Sequence, residues 1–481
     1  MKSRHGFLAL GAAVAAFSAV AAEKIGDAAA WSSAVSTTFE NRWFEPKPIP
    51  AAPETEMTID PSAFDQIMVG FGTALSELSW EALQILSPED RAQLLDDMFA
   101  PEKGANFTVV RTPIGASDFA FDYYSYNDHP GDFDQKKFSL EIDERALLPL
   151  LREIKARVPA DLFRLWASPW TPPRWMKSSG CYASRPSYGP SYPTNDCDWA
   201  HVVYNGEDGF ACDAKHYASY AKYFRKYVDA MKAKGLPVWM VMPQNEPGTC
   251  QPYPTCPWRG RTLADFTANY LGPALEGSGT ELYMGTIEER SIEKVHDVMA
   301  LPNGRKYIKG AGFQWEGRGS IGAARKRYPE LQLVMSEQEC NDGRNDWKGA
   351  LHSWGVMRTF IGQGAGVYNY WNLALTDLQK SSWGWSQNSL VTVDRKTRKA
   401  VLNVEYYILK QVSSKVRKGA KRLLTRGDLS ELAFLNPDGS LVVSFANSTP
   451  EAKTIVVRHA DKTYRASLPP NSISTFVASG K

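Results

Sequence analysis

The sequence predicts an α/β protein: a (β/α)8 TIM barrel carrying a small antiparallel β-sandwich module. Three observations carry that expectation. From about residue 66 to 400, short aliphatic or β-branched runs alternate with amphipathic helical stretches. After about residue 400 the pattern changes to closely spaced strands joined by turn residues. The chain length, 481 residues, exceeds one average domain but fits one large barrel plus a smaller module.

In chain order, residues 1–21 have the features of a signal peptide. Met1-Lys-Ser-Arg-His5 is basic, Gly6 to Val20 is apolar and rich in Ala, and Ala19-Val-Ala21 is a small-residue cleavage site. The apolar stretch is too short to span a bilayer, and no later run reaches the required length of about 20 residues. A periplasmic or secreted protein that does not cross the membrane is expected. Residues 22–65 contribute to the β-module, because Glu56-Met-Thr-Ile-Asp60 reads as a strand after the Pro-rich segment from Pro46 to Pro53.

Residues 66–400 form the barrel. Strands are predicted over 106–113 and 163–169. A helix over 213–234 puts Tyr217, Tyr220, Phe224, Tyr227, Val228 and Met231 on one face, and Gly235 stops it before a strand over 238–242. Runs at 284–287, 310–314, 331–335 and 366–371 continue the series. Residues 401–481 form the rest of the module, with a hairpin over 431–445 turning at Asn436-Pro-Asp-Gly439 and further strands over 454–458 and 473–477.

Composition narrows the function classes. A hydrophobic content of 43% and a charged content of 22% are ordinary for a protein with a sizeable core. A formal net charge of +2 supplies no clustered basic surface for nucleic acid or an acidic membrane. The 15 Trp and 21 Tyr include flat faces suited to stacking on sugar rings, though most such rings serve packing. Six cysteines fit disulfides in an oxidising compartment, and Cys250 with Cys256, in one loop, is the first pairing to expect. Zinc is the competing explanation, but there is no Cys-x-x-Cys and the seven His show no ligand spacing.

Two carboxylates carry the chemistry. Glu246 and Glu337 each follow a short apolar run that reads as a barrel strand. One such Glu is usually a solvated loop residue; two, from the carboxyl ends of strands far apart in sequence, are what retaining glycoside hydrolysis needs. Glu246 fits the general acid, with a proton retained by an apolar pocket and by its neighbouring carboxylate. Glu337 fits the nucleophile, kept ionised by donors such as Arg111. Glu339 competes for that role, since it shares a strand face with Glu337, but it already lies in the following loop. Asn245, beside the acid, can hydrogen-bond a sugar 2-hydroxyl. Proton transfer and attack are both done by carboxylates, so no metal or organic cofactor is required.

The motif strings Gly70-Phe-Gly-Thr-Ala74, Val110-Arg-Thr-Pro113 with Ser117-Asp-Phe119, Asp132-Phe133 with Phe138-Ser-Leu140, Ala167-Ser-Pro-Trp-Thr-Pro-Pro-Arg-Trp175, Gln244-Asn-Glu-Pro247, Ser336-Glu337 and Trp371-Asn-Leu-Ala-Leu375 resemble those of glycoside hydrolase family 30 across most of the chain. The resemblance implies a retaining β-glycosidase on a β/α barrel with a β-module built from both chain ends. It implies Glu246 as acid/base and Glu337 as nucleophile, flanked by Arg111 and Asn245. It also implies Asp118, Trp170 and Trp371 as holders of the terminal sugar, and Tyr253 as an aromatic near the acid.

Two departures bear on the substrate. Where the family's glucosylceramidases carry a His-Trp-Tyr string after the sixth strand, this chain has Gln314, Trp315 and Glu316, so a carboxylate stands near the nucleophile as added charge or as a different sugar contact. The string Glu337-Gln-Glu-Cys340 is also one residue longer. Ceramide is therefore not assumed as the leaving group, and the expected partner is a β-glucoside, glycan or glycolipid. An exo-acting, β-glucosidase-like enzyme is the first expectation. An endo-β-1,6-glucanase, or a β-xylosidase or β-fucosidase of the same family, is the alternative. From other classes, a non-catalytic carbohydrate-binding barrel is conceivable. So is a dinucleotide site at Gly317-Arg-Gly-Ser-Ile-Gly322, although no second nucleotide-binding half accompanies that pattern.

Overall fold

The computed structural model describes residues 28–49, 54–187, 195–427 and 430–480. The expected signal peptide, residues 1–21, lies outside the described residues. Eight parallel strands close a barrel: β1 (Gly70–Ala74), β2 (Val109–Pro113), β3 (Arg164–Ser168), β4 (Val238–Val241), β5 (Glu281–Ile287), β6 (Ile308–Gln314), β7 (Gln332–Gln338) and β8 (Ala365–Asn372), which pairs back onto β1. Strands covered on both faces need mostly apolar or small residues, and these dominate the buried parts of all eight, with polar residues such as Arg111 and Glu337 toward the carboxyl ends. Val109, Trp166, Met240, Met242, Tyr283, Val334 and Val367 form one cluster from these strands, apart from the larger core between strands and helices.

The helix predicted before β4 runs Ala214–Ala233. Asp213 caps it, its carboxylate accepting from the Lys215 and His216 N–H groups at 2.9 and 3.0 Å. Tyr217, Tyr220, Phe224, Tyr227, Val228 and Met231 are all buried, and Gly235 leaves the helix at φ +75°, a conformation that suits glycine.

The β-sandwich module draws on both ends of the chain. Ser33–Thr37 pairs with Ser472–Ala478, while Glu54–Ile67 runs antiparallel to Lys421–Arg426 and parallel to Lys453–His459. Met57 and Ile59 thereby join Leu423, Val443, Phe445, Val457 and Phe476 in a separate core. The hairpin forms between Glu431–Leu435 and Leu441–Asn447. Between barrel and module, three short strands (Ala374–Thr376, Val391–Asp394 and Lys399–Leu402) make a small sheet that the sequence reading did not anticipate. Among the described residues no helix is long and apolar enough to cross a membrane.

The disulfide expectation needs correction, and the dinucleotide alternative, already disfavoured by the sequence, is set aside. All six cysteines are free thiols. Cys256 is buried close to Gly209, whereas Cys250 is half-buried, and the two are not bonded to each other. The neighbouring thiols are instead Cys181 and Cys197, which sit together in a small cluster with Ala183. At the Gly317 motif, a Cβ on Gly317 would lie 2.3 Å from the Ile287 carbonyl oxygen. Glycine there lets the 3-10 turn Trp315–Gly319 press against the end of β5, and the helix after it, Ile321–Arg327, has only 7 residues. That is packing, not a phosphate cradle.

Gly72 in β1 is a comparable close approach: a Cβ there would sit 1.6 Å from the Val109 carbonyl oxygen of β2. Gly72→Ala must push two barrel strands apart. It should cost about 3 kcal/mol or more, read as a large fall in melting temperature or loss of soluble protein. An unchanged melting temperature would contradict this register.

Candidate active site

β4 ends at Val241, so Glu246 is not at the strand end itself but on the loop just beyond it. Its backbone is left-handed, with φ +48°, an unfavourable conformation for a residue bearing a Cβ. Neighbouring hydrogen bonds hold it there. The Glu246 N–H donates to Thr286 Oγ1 at 3.2 Å, the Asn245 N–H to the Pro169 carbonyl at 2.7 Å, and the Trp258 N–H to the Pro247 carbonyl at 2.7 Å. Trp315, across the site, is left-handed too, with φ +47°.

Glu337 is the penultimate residue of β7 and forms an ion pair with Arg111 of β2, Nη1 to Oε2 at 2.5 Å. The Arg111 guanidinium has no solvent exposure. It lies over three indoles, Trp170 at 4.5 Å, Trp166 at 4.8 Å and Trp371 at 5.6 Å, whose faces attract a cation. Its Nη2 donates to Asn245 Oδ1 at 2.7 Å and Ser168 Oγ at 3.0 Å. Asn245 Oδ1 accepts from Thr286 Oγ1 and Gln314 Nε2 as well, at 3.1 and 3.3 Å. With its oxygen so occupied, the Asn245 amide nitrogen is left to donate to a ligand. Gln314 also donates to Glu246 Oε1 at 3.1 Å while its own oxygen accepts from Ser336 at 2.9 Å.

Glu246 and Glu337 line one cavity of about 410 Å³, as do Asp118, Trp170, Asn245, Tyr253 and Trp315. Arg111, Gln314 and Trp371 stand behind that wall: the first two hold wall residues by hydrogen bonds, and Trp371 stacks on Trp170 with centroids 5.2 Å apart. Glu316 is not brought to the cavity. It pairs with Arg290 and Arg318, and its side chain is 44% exposed, so the charge it adds is neutralised outside the site. Glu339 falls past the end of β7 and pairs with Arg318 and His352, which removes it as a rival to Glu337 for the cavity.

The sequence reading missed Thr249, Gln251, Glu288, Asn341, Trp385, Ser386 and Gln387, all in the cavity wall. Glu288 follows β5 much as Glu246 follows β4, and that same cue could have found it. Trp385, Ser386 and Gln387 belong to the connection within the unanticipated small sheet, where only the paired Trp383 and Trp385 stand out.

Electrostatics separates the two carboxyls. Burial, then the charge of Glu337, then that of Glu288, push Glu246 well above the usual carboxylate range. Burial also raises Glu337, but the Arg111 charge and hydrogen bond oppose it. A single proton shared by the pair therefore resides on Glu246, and Glu337 is the carboxylate. Asp118 is pushed up to about 8, first by burial and next by Glu337. Its buried Oδ1 has no hydrogen-bond partner among the described residues. The arrangement thus offers one acid and one anion across a single cavity, with Asp118 and the Asn245 amide to hold hydroxyl groups.

A carboxyl whose folded-state value is raised binds more protons folded than unfolded. The stability it confers is complete below the ordinary carboxylate value and disappears as pH climbs through the raised one. For Asp118 that window runs from 3.8 to about 8. Asp118→Asn and Glu246→Gln should each stabilise the fold more at pH 8 than at pH 5, by about 1–3 kcal/mol. Thermal melts measure this; parallel curves for parent and variants would contradict the assignment of buried, proton-retaining carboxyls.

Comparison with known proteins places this fold in a family. Residues 68–396, more than half of the chain, match the family model described as the glycosyl hydrolase family 30 TIM-barrel domain, and residues 419–476 match the glycosyl hydrolase family 30 beta sandwich domain. The chain is 26% identical over 451 residues to lysosomal acid glucosylceramidase of Mus musculus, covering 88% of this chain and 83% of that protein. It is 25% identical over 447 residues to an endo-1,6-beta-D-glucanase of Trichoderma harzianum, covering 86% and 85%. Among solved structures, SrfJ from Salmonella typhimurium superposes with a TM-score of 0.79 at 22% identity, over 93% of this chain and 99% of that one. The endo-beta1,6-glucanase BT3312 does so with a TM-score of 0.78 at 22% identity and the same coverage. The chain belongs to glycosyl hydrolase family 30.

Proposed function

We propose that the protein is an exported, retaining β-glycosidase that admits a terminal β-linked glucosyl residue between Trp170, Asp118 and Asn245 and cleaves it by double displacement. One observation carries the reading: the carboxyl paired with a buried arginine and the carboxyl that keeps its proton line the same cavity. In the first step the Glu246 O–H gives its proton to the glycosidic oxygen. Glu337 Oε attacks the anomeric carbon, the carbon–oxygen bond breaks, and the alcohol departs. In the second step Glu246, now a carboxylate, takes a proton from water as the water oxygen attacks the anomeric carbon and the Glu337 ester bond breaks. Export is supported by the basic start, apolar stretch and small-residue site of residues 1–21.

The rest of the cavity wall is polar and aromatic. Thr249, Gln251, Glu288, Asn341, Gln387 and Trp385 contribute to it, and among the described residues no aliphatic side chain lines the cavity. Such a surface favours a sugar leaving group over a lipid. That observation, together with relatives named as endo-1,6-beta-D-glucanases, also supports the second reading, an endo-acting enzyme on β-1,6-glucan. Product profiles on β-1,6-linked gluco-oligosaccharides separate the two: glucose released one unit at a time supports exo action, and a ladder of larger fragments supports endo action. Failure to cleave any β-glycoside in a panel of aryl β-glucoside, β-xyloside, β-fucoside and β-galactoside would remove both.

Glu337→Gln should fold and lose turnover by about four orders of magnitude or more; near-normal hydrolysis would contradict its role as nucleophile. Glu246→Ala, given azide and an activated aryl β-glucoside, should recover cleavage with a β-glycosyl azide as product. An α-configured azide would contradict double displacement.

A further inference from the structure

Double displacement uses two carboxyl groups, yet besides Asp118 a further one, Glu288, lines the same cavity. Glu288 follows β5, and its Oε1 accepts from the Gly248 N–H at 2.7 Å and from Thr249 Oγ1 at 3.1 Å. Both donors belong to the turn that starts at Glu246, and the Thr249 N–H closes that turn onto the Glu246 carbonyl at 3.1 Å. The left-handed Glu246 backbone is therefore braced on its carboxyl-terminal side by one half-buried side chain. The other oxygen, Glu288 Oε2, is buried and has no hydrogen-bond partner among the described residues. A carboxylate in that position has a free lone pair and little water to screen it, so its charge is felt by Glu246.

We propose that Glu288 is a positioning residue for the general acid: it clamps the Gly248–Thr249 turn that aims the Glu246 carboxyl, and its negative charge opposes the departure of the Glu246 proton. This rests on the reading of Glu246 as the acid. Glu246 faces Glu337, Glu288 and Asp118 as like charges, Gln314 as a donor and the buried phenol of Tyr253, with the Arg111 cation engaged by Glu337. Glu288 faces Glu289 and Lys294, which pair with each other at 2.7 Å. Burial pushes Glu288 up to about 7. Its charge therefore appears as the solution turns alkaline, which is when Glu246 would otherwise lose its proton.

The test uses Glu288→Gln and Glu288→Ala in the full chain with two substrates, an alkyl β-glucoside whose leaving group needs a proton and 2,4-dinitrophenyl β-glucoside whose leaving group does not. In Glu288→Gln the amide oxygen can still accept from Gly248 and Thr249, but the charge is gone. The alkaline limb of kcat/KM for the alkyl glucoside should move about one pH unit toward acid, the effect of losing one nearby like charge, with the acid limb in place. In Glu288→Ala the clamp goes too, and the ratio of alkyl to dinitrophenyl turnover should fall about tenfold or more. An alkaline limb that does not move in Glu288→Gln overturns the proposal, as does equal slowing of both substrates in Glu288→Ala, which marks a purely structural role. A parent enzyme silent on both glucosides overturns the glycosidase reading itself; an active parent with an unmoved limb overturns only the role of Glu288.

Discussion

The Arg111 guanidinium is the constraint on which the site is built. A cation with no solvent exposure is costly unless its donors and charge are met. Here Glu337 supplies the counter-charge, Ser168 and Asn245 take its hydrogen bonds, and three indole faces surround it. Each of these contacts also orients a residue of the cavity. Trp170 packs against both Arg111 and Trp371, and Asn245 has its oxygen turned to Arg111, leaving its amide nitrogen for a ligand. Most consequentially, Arg111 forms its ion pair with Glu337 and not with Glu246. Two buried glutamates that would otherwise titrate alike are driven apart, Glu337 toward the anion and Glu246 toward the acid. Removing the arginine would leave a buried, unpaired carboxyl and erase that difference.

The barrel explains how groups so distant in sequence meet. Arg111 comes from β2, Ser168 from β3, Gln314 from β6 and Glu337 from β7, and parallel closure brings their carboxyl ends around one opening. Glu246 arrives differently, on a loop whose backbone is strained at φ +48°. A strained residue persists only where its surroundings over-determine it, and Thr286 and Glu288 from the end of β5 supply that support. The proposed division of labour follows the mechanics. The anion stands on a strand, where it is rigid, and the proton donor stands on a turn fixed by its neighbours.

Much of this was legible in sequence because barrel strands announce themselves. Buried on both faces, they carry mostly apolar residues, so the segments ending near Pro113, Ser168 and Glu337 stood out, and the Asn beside Glu246 singled out the candidate acid. Rings such as Trp170 and Tyr253 became candidates through motif context, since composition alone cannot separate a sugar platform from a core residue. What failed was information that depends on direction. Glu316 lies between cavity residue Trp315 and Gly317, yet its side chain turns to Arg290 and Arg318. Cys250 and Cys256 share a loop but differ in burial, while Cys181 and Cys197, 16 positions apart, meet. Glu288 and Trp385 escaped because their strand ends and short sheet carry no motif, though Glu288 obeyed the rule that had found Glu246.

The central claim is that the arginine-paired carboxylate, and no other acid in the chain, bonds to the sugar. Incubation with 2-deoxy-2-fluoro-β-glucosyl fluoride, followed by proteolysis and peptide mass mapping, tests it directly, because the fluorine slows release of the glycosyl ester more than its formation. The account predicts one added fluoroglucosyl group, located on Glu337. A label on Glu339 or Glu246, or release of α-configured sugar with no labelled peptide, would contradict it.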